Sequence, residues 1–169
     1  MFINQGMEGA ILLFDVDRLQ RINDLLGYMV GDEVLQLLGQ KCHELVGVTF
    51  YRGQGGKFYC ITTDLDRDKI EWIYQQVKRF GEEVPREMKL EIQLTISCGV
   101  AFFPQDAEDF ETLHANVEYA LEQAKKDGRG CIAQFSGKMH RRTVEQFQLQ
   151  EVLRAVSYTH LTLPTILRV

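Results

Sequence analysis

Two aspartates near the beginning of the chain could bind a metal ion. Asp15 and Asp17 flank Val16 at the end of an apolar run that starts at Gly9. Mg²⁺ in proteins takes one or two carboxylates together with phosphate oxygens of its substrate, so this pair suits a magnesium-bound nucleotide. The structural alternative is that Asp17 caps the following helix and Asp15 ends the strand in water. Taken alone, the two residues favour the structural alternative.

The apolar run before these aspartates is predicted to be a strand buried on both faces, because it is continuous and lacks helical periodicity. A glycine-rich turn further along joins two strand-like runs in a hairpin. The elements predicted after the first strand are helices over 19–26 and around 32–45, strands over 46–51 and 57–62, a helix over 66–80, a strand over 91–103, a helix from Asp109 to Gly128 with Phe110 facing inward, and a strand over 131–135. This order, βααββαβαβ, indicates an α+β fold with helices packed on a mixed, mostly antiparallel sheet of about five strands.

Composition narrows the functional classes. The 169 residues fit one domain with a modest appendage. With 19 Lys plus Arg against 24 Asp plus Glu, and a net charge of −5, the chain lacks the basic footprint of a nucleic-acid-binding protein. No apolar run is long enough to span a membrane and no secretory signal is evident, so we expect a cytoplasmic location. The four cysteines form no C-x-x-C pair, so we expect buried free thiols.

The two ends of the chain differ from its centre. We expect one domain over residues 1–136. Residues 137–156 alternate apolar and charged side chains in a way that predicts a helical linker leading out of the domain. Residues 157–169 lose both the acidic residues and the periodicity and resemble a translated sequencing adapter. We therefore interpret them as an artefact of sequence assembly, the alternative being a short β-rich tail.

Four motifs in order resemble the GGDEF domain, the catalytic domain of diguanylate cyclases. Residues 14–35 resemble D-x-D-x-F-K-x-x-N-D-x-x-G-H-x-x-G-D-x-x-L, and residues 52–58 occupy the place of R-x-G-G-D-E-F. Residues 95–100 resemble a strand with S-x-G, and residues 120–129 match A-L-Y-x-A-K-x-x-G-R. The resemblance covers about residues 9 to 136. It implies a nucleotidyl-cyclase-like palm fold and GTP as the ligand.

The resemblance also implies roles for individual residues. Asp15 and the Val16 carbonyl would bind Mg²⁺, and Asn23 and Asp32 would recognise the guanine edge. The remaining implied contacts are those of the triphosphate with Lys125 and Arg129, whose cationic donors suit a polyphosphate. The structural alternative for this basic pair is compensation of a helix dipole at its C-terminus.

The signature itself departs from the family. Gln54, Gly55, Gly56, Lys57 and Phe58 stand where the family has Gly-Gly-Asp-Glu-Phe. Gly56 therefore replaces the second metal-binding carboxylate, and Lys57 replaces another acid. The loss of one ligand and the nearby ammonium both weaken Mg²⁺ binding, since like charges at about 4 Å repel by about 4 kcal/mol at an effective dielectric near 20. We predict no cyclase activity.

Smaller departures point the same way. Gln20 replaces a phosphate-contacting lysine, and Tyr28 replaces the histidine of G-H. The inhibitory product site, R-x-x-D, is missing, because the matching residues 45–48 read Leu-Val-Gly-Val. Two interpretations of Lys57 stay open: it pairs with Asp15 in place of the missing ion, or it is a solvated lysine at a hairpin tip.

The leading hypothesis is a degenerate GGDEF domain that binds GTP weakly and acts as a regulatory or dimerisation module. Its partner would be a second copy of the chain or an EAL phosphodiesterase domain, to which residues 138–156 resemble a linker. The alternatives are an active diguanylate cyclase with an unusual signature and an RNA-recognition fold, which the acidic composition disfavours. The family's N-terminal helix, D-x-L-T-G-L-x-N-R, has no counterpart, so we expect exposed apolar sheet surface.

Overall fold

A computed structural model of the chain describes residues 6–138, 145 and 148–157. The chain divides into two units, residues 1–135 and residues 136–169. In the second unit the described residues 137–138, 145 and 148–157 are helical. Most of the expected artefactual tail, residues 158–169, lies outside the described residues. Within the described residues, no helix combines the length and the apolar character that crossing a membrane requires.

The first unit is a five-stranded sheet with helices on both faces. Its elements, in chain order, are β1 (Gly9–Val16), α1 (Leu19–Leu26), α2 (Tyr28–His43), β2 (Thr49–Arg52), β3 (Lys57–Thr62), α3 (Arg67–Glu87), β4 (Ile96–Phe103), α4 (Phe110–Lys126) and β5 (Ile132–Gln134). The strand order is β2-β3-β1-β4-β5. Only the β4–β5 pair is parallel; the other described pairs are antiparallel. The predicted fold class and order of elements are confirmed.

Strand β1 lies at the centre of the sheet, between β3 and β4, which explains why its sequence is apolar throughout. Alternate side chains of β1 enter two separate cores. Ala10, Leu12 and Phe14 join the core formed with α2 and α3. Ile11 and Leu13 join the core formed with α4. At the end of β1, Asp15 lies opposite Lys57 of β3 and Ser97 of β4 in the strand register, so the residues after β1 emerge at one edge of the sheet.

Some element boundaries differ from the prediction. Strand β4 begins at Ile96 rather than at residue 91, because its pairing with β1 ends at Val16 and leaves the preceding residues without a neighbouring strand. Helix α3 runs to Glu87, well past residue 80. The prediction that Phe110 faces inward is wrong, because Phe110 is 59% exposed and packs against the His114 ring.

The α4 face of the sheet is covered unevenly in the part of the chain that the structure describes. Helix α4 contacts β4 and β1. On β2, Tyr51 is 51% exposed, and its register partner Tyr59 on β3 is only half-buried. The four cysteines are free thiols; three are buried, as expected, whereas Cys131 is only half-buried.

Candidate functional site

The predicted metal-binding carboxylate, Asp15, already carries a cation from the protein. The Lys125 ammonium lies 2.6 Å from the Asp15 carboxylate, and the two side chains are 21% and 16% exposed. Burial lowers the pKa of Lys125, but the hydrogen bond and the negative charge of Asp15 outweigh that effect, so its pKa lies above the ordinary lysine value. Lys125 is therefore a fixed positive charge on Asp15.

Gly56 lies directly beside Asp15, where the resemblance places a second carboxylate. A Cβ atom at Gly56 would be 3.2 Å from Asp15 Oδ1 and 3.3 Å from the Val16 Cβ. The backbone does not require glycine here, because the left-handed residue of this turn is Gly55, with φ 60°. The position is therefore adjacent to Asp15, and it contributes a peptide but no ligand side chain.

Lys57 does not pair with Asp15, although the two residues are register partners. Its ammonium bonds instead to both carboxylate oxygens of Glu118 on α4, at 2.7 and 2.9 Å. The hypothesis of a Lys57–Asp15 pair is thus wrong, and so is that of a solvated lysine. The physical reason is that α4 presents Glu118 to Lys57 and Lys125 to Asp15, so each strand residue has an opposite charge of its own.

Asp17 has a structural role that the sequence did not indicate. Its side chain is 6% exposed and accepts hydrogen bonds from Ser97 Oγ at 2.7 Å, from Thr95 Oγ1 at 2.8 Å and from the Gly130 N–H at 3.2 Å. It does not cap α1, whose N-cap residue is Arg18 without a side-chain cap bond. Asp17 therefore ties the end of β1 to β4 and to the turn after α4.

The residues at this edge do not fit a magnesium site. Asp15 is engaged by Lys125, Asp17 is engaged by three donors, and Gly56 has no side chain. The Val16 N–H donates to the Gly56 carbonyl at 3.1 Å, which fixes the backbone next to Asp15. Among the described residues, no group of three or more His, Cys, Asp or Glu side chains could hold a metal ion.

The predicted guanine-recognising residues lie together. Asn23 Oδ1 is buried without a hydrogen-bond partner, and it sits where a Cβ atom at Gly31 would be. Asp32 follows Gly31 on α2, and its carboxylate is exposed with no partner among the described residues. An unsatisfied buried acceptor costs about 1–3 kcal/mol, and because Asn23 Oδ1 packs against Gly31, the side-chain amide must turn away from Gly31 before a ligand donor can reach it. Guanine has adjacent N–H donors on its Watson–Crick edge, so an acceptor pair of this kind suits it chemically.

Two departures from the family motif contact each other. Gln20 Nε2 donates to Asp24 Oδ1 at 2.9 Å and to the Tyr28 hydroxyl at 3.3 Å. These exposed side chains link the beginning of α1 to the beginning of α2. The position of the phosphate-contacting lysine therefore holds a neutral amide that is directed along α1.

Lys125 and Arg129, predicted to act together on a triphosphate, have different surroundings. Lys125 turns to Asp15, whereas Arg129 lies in a turn with φ 65° and is exposed. Arg129 lines a cleft of about 430 Å³ together with Arg18 and Arg21. Sequence reasoning missed both of these arginines; the only signal was two cations three residues apart at the start of a helix.

Comparisons with known proteins agree with this geometry. The family model described as "Diguanylate cyclase, GGDEF domain" matches residues 3–131. The cyclic di-GMP phosphodiesterase NbdA of Pseudomonas aeruginosa is 30% identical over 154 residues, which are 89% of this chain and 19% of that protein. The diguanylate cyclase DosC of Escherichia coli is 28% identical over 131 residues, which are 75% of this chain and 28% of that protein. The matched part of the chain thus spans only about a fifth of NbdA and just over a quarter of DosC.

Solved structures share the fold. An EAL/GGDEF domain protein from M. capsulatus superposes with a TM-score of 0.66 at 26% identity, covering 78% of this chain and 87% of that one. The GGDEF domain of YfiN from Pseudomonas aeruginosa gives a TM-score of 0.68 at 20% identity, covering 80% and 86% of the two chains.

Proposed function

The chain belongs to the GGDEF family of diguanylate cyclase domains, and from this premise we propose that it holds a guanine nucleotide without cyclising it. In this proposal it is a regulatory or dimerisation module of cyclic di-GMP signalling. GGDEF domains in general bind GTP and use Mg²⁺. We propose that this chain binds GTP but does not use Mg²⁺.

The ion pair between Lys125 and Asp15, beside Gly56, carries the proposal. Cyclisation of two GTP molecules requires each 3′-hydroxyl to attack the α-phosphorus of the other nucleotide with release of pyrophosphate, and a bound Mg²⁺ would neutralise the phosphates and help to deprotonate the hydroxyl. In this chain the Lys125 ammonium forms an ion pair, at 2.6 Å, with Asp15, the one predicted metal-binding carboxylate that remains. An ammonium offers charge and hydrogen bonds but no coordination position for a hydroxyl, so it cannot replace that chemistry.

The nucleotide-binding half of the proposal depends on Asn23 and Asp32. The buried, unpartnered Asn23 Oδ1 and the partner-free Asp32 carboxylate supply two acceptors on neighbouring helices. Guanine offers N1–H and N2–H donors to such acceptors, whereas adenine does not present two adjacent donors there. We therefore expect a preference for guanine over adenine nucleotides.

The signalling partner in the proposal is a cyclic di-GMP phosphodiesterase domain of the EAL type or a second copy of this chain. Relatives named as cyclic di-GMP phosphodiesterases, from Pseudomonas aeruginosa and Escherichia coli, support the first partner. The relative MucR, named as a bifunctional cyclase and phosphodiesterase, carries both activities in one protein. We propose the cytoplasm as the location, since GTP is available there.

Two measurements test the proposal. Incubation of the chain with GTP and either Mg²⁺ or Mn²⁺ should yield no cyclic di-GMP. If the chain formed cyclic di-GMP faster than the Asp15→Asn variant does, the alternative, an active cyclase, would be established. Calorimetric titration with GTP in EDTA should show binding that Asn23→Ala weakens about tenfold, as expected for one lost hydrogen bond to a ligand. Absence of binding by the unmodified chain would leave only a scaffold.

A further inference from the structure

A groove between helix α2 and the outer strand β2 has no assigned role. Its volume is about 230 Å³, which is less than the roughly 300–1,000 Å³ of typical small-molecule sites and suits one side chain of a larger partner. The buried part of this α2–β2 groove is formed by Leu35, Phe50 and Phe58, and its exposed rim includes Gln36, Gln40 and Arg52. None of the lining residues belongs to the proposed guanine site or to residues 45–48, where the inhibitory product site of the family is missing.

Gly39 keeps the α2–β2 groove open. It lies inside α2, where glycine is the weakest helix former apart from proline. A Cβ atom at this position would be 3.5 Å from the Phe58 ring, which is an ordinary contact, so close packing does not require glycine here. The helix therefore loses stability at Gly39, and the missing side chain leaves space at the bottom of the groove.

Strand β2 has an unpaired edge in the part of the chain that the structure describes, because β3 is its only neighbouring strand. The Gly53 N–H donates to the Lys57 carbonyl at 2.9 Å. Since hydrogen-bonded pairs alternate along an antiparallel ladder, residues 49 and 51 also bond to β3. Phe50 and Arg52 lie between these pairs and direct their N–H and C=O groups away from β3. Their backbone is therefore available to a further strand beside the groove.

The charge of the α2–β2 groove is opposite to that of the whole chain. The net charge of the chain is −5, yet the described residues that line the groove include no Asp or Glu, and Arg52 is their one fixed charge. The Arg52 guanidinium lies 4.9 Å from the centre of the Phe58 ring and donates one hydrogen bond to the Gly55 carbonyl at 3.1 Å. Because a guanidinium has five N–H donors, Arg52 keeps donors for a carboxylate of a partner. His43, also in the lining, adds a further polar group.

We propose that the α2–β2 groove binds an extended acidic segment of a partner protein, which adds a strand to the sheet beside β2. The backbone of the segment pairs with Phe50 and Arg52, and one of its apolar side chains enters the space left by Gly39. Side chains two residues apart on a strand share a face, so an acidic residue two positions from the apolar one lies against Arg52. In such strand addition, the main-chain hydrogen bonds supply affinity and the alternate side chains supply specificity.

Calorimetric titration of the full chain with the synthetic peptide acetyl-Thr-Glu-Val-Leu-Val-Glu-Thr-amide tests the proposal. Its Leu and both Glu side chains share one face, so a Glu reaches Arg52 whichever way the strand runs. The peptide should bind saturably at micromolar concentrations. Two altered peptides should bind at least tenfold more weakly: one with its three central amides N-methylated, which removes main-chain donors, and one with Lys in place of both Glu. Absence of binding, or equal binding of all three peptides, would overturn the proposal.

Gly39→Met and Gly39→Ala form a matched pair of variants. Both residues are better helix formers than glycine, and a Cβ atom fits at this position, so neither variant should lower the melting temperature. The flexible methionine side chain fills the groove, whereas alanine leaves most of it open. Gly39→Met should therefore weaken binding of the Glu peptide at least tenfold, and Gly39→Ala should weaken it less than threefold. Equal binding by the two variants would contradict the assigned role of Gly39.

Arg52→Gln and Lys69→Gln separate the charge of the groove from the charge of the chain. Both side chains place a cation over an aromatic ring, at 4.9 Å for Arg52 and at 4.2 Å for Lys69, which lies on α3 outside the groove. Arg52→Gln should weaken binding of the Glu peptide about fivefold, and Lys69→Gln should change it less than twofold. Equal weakening would show that the peptide responds only to net charge and would overturn the assignment to the groove.

Sedimentation of the full chain tests the other occupant, a second copy paired through its own β2. The proposal expects no dimer that depends on the groove, so Gly39→Met should leave the sedimentation coefficient unchanged. A dimer that Gly39→Met dissociates, together with absence of peptide binding, would identify a second copy as the occupant and would overturn the proposal of an acidic segment.

Discussion

Replacement of Lys125 by alanine tests whether the ammonium on Asp15 stabilises the domain in place of a metal ion. The two charged groups are 2.6 Å apart. Unit charges at that distance attract by about 6 kcal/mol at an effective dielectric near 20. Desolvation of both groups and ordering of the lysine side chain oppose most of this attraction. The variant also leaves the Asp15 carboxylate, 16% exposed, without a partner. We expect a net loss of about 1–3 kcal/mol in the free energy of unfolding.

Urea denaturation of a double-mutant cycle measures this interaction. The cycle compares the unmodified chain with Lys125→Ala, Asp15→Asn and the double variant, and the coupling energy should be about 1–2 kcal/mol. Lys126→Ala is the matched control, because Lys126 is the exposed neighbour on α4 and forms no ion pair with the described residues. Coupling below about 0.3 kcal/mol would refute the reasoning, since the Lys125 ammonium would then contribute nothing as a counter-ion.

The same variants report on the metal. With Lys125 removed, Asp15 loses its fixed cation and becomes available to a divalent ion. Millimolar Mg²⁺ should therefore raise the melting temperature of Lys125→Ala more than that of the unmodified chain or of Lys126→Ala. An equal rise in all three proteins would show that the ion binds elsewhere.

Three further predictions concern other parts of the domain. Gly56→Glu should lower the melting temperature in EDTA, because its carboxylate adjoins Asp15, and Mg²⁺ should reverse the loss; a variant indifferent to Mg²⁺ would contradict the assignment of this position. Asp17→Asn should lower the free energy of unfolding, measured by urea denaturation, by about 2–4 kcal/mol, because an amide oxygen cannot accept hydrogen bonds from all three donors. A loss below about 0.5 kcal/mol would contradict the structural role of Asp17. Burial raises the pKa of the Cys42 and Cys60 thiols to about 12, so neither thiol should react with a thiol reagent at pH 8. Because these thiols ionise more easily in the unfolded chain, the free energy of unfolding should fall as pH rises above about 8.5. A free energy of unfolding that stays constant between about pH 8 and 10 would contradict this.

The fold could be predicted from the sequence because its elements have distinct periodicities and clear end signals. The continuous apolar run of β1 reflects burial on both faces, and Asp109 caps α4 through the Thr112 N–H as its position suggests. The start of β4 could not be predicted, because residues 91–95 are compatible with a strand but the paired strands end at Val16, after which the Asp17 N–H bonds only to the Thr95 carbonyl. Local sequence contains no information on where a neighbouring strand ends.

The candidate site was only partly predictable for a related reason. The adjacency of Gly56 and Asp15 follows from a hairpin strand that pairs with β1. Which lysine reaches Asp15 depends instead on where α4 lies over the sheet, and both Lys57 and Lys125 have side chains long enough to reach it. Thr95 and Ser97, the side-chain partners of Asp17 around the start of β4, are about 80 residues away in sequence, so nothing near Asp17 indicates that it is a buried acceptor.

The charges at this edge of the sheet explain why the signature substitutions form a consistent set. In this chain Asp15 pairs with Lys125 and Lys57 pairs with Glu118, so the four charges cancel without any ion. With acids at positions 56 and 57, as in the family signature, the same edge would hold four carboxylates against Lys125 alone, a net charge of about −3. Such a cluster needs a divalent cation to remain compact, because buried like charges repel strongly. Replacing only one of the two acids would leave an excess of negative charge, whereas the pair Gly56 and Lys57 reaches neutrality. The two substitutions are therefore best understood as one change, from an edge held together by a metal to an edge held together by lysines.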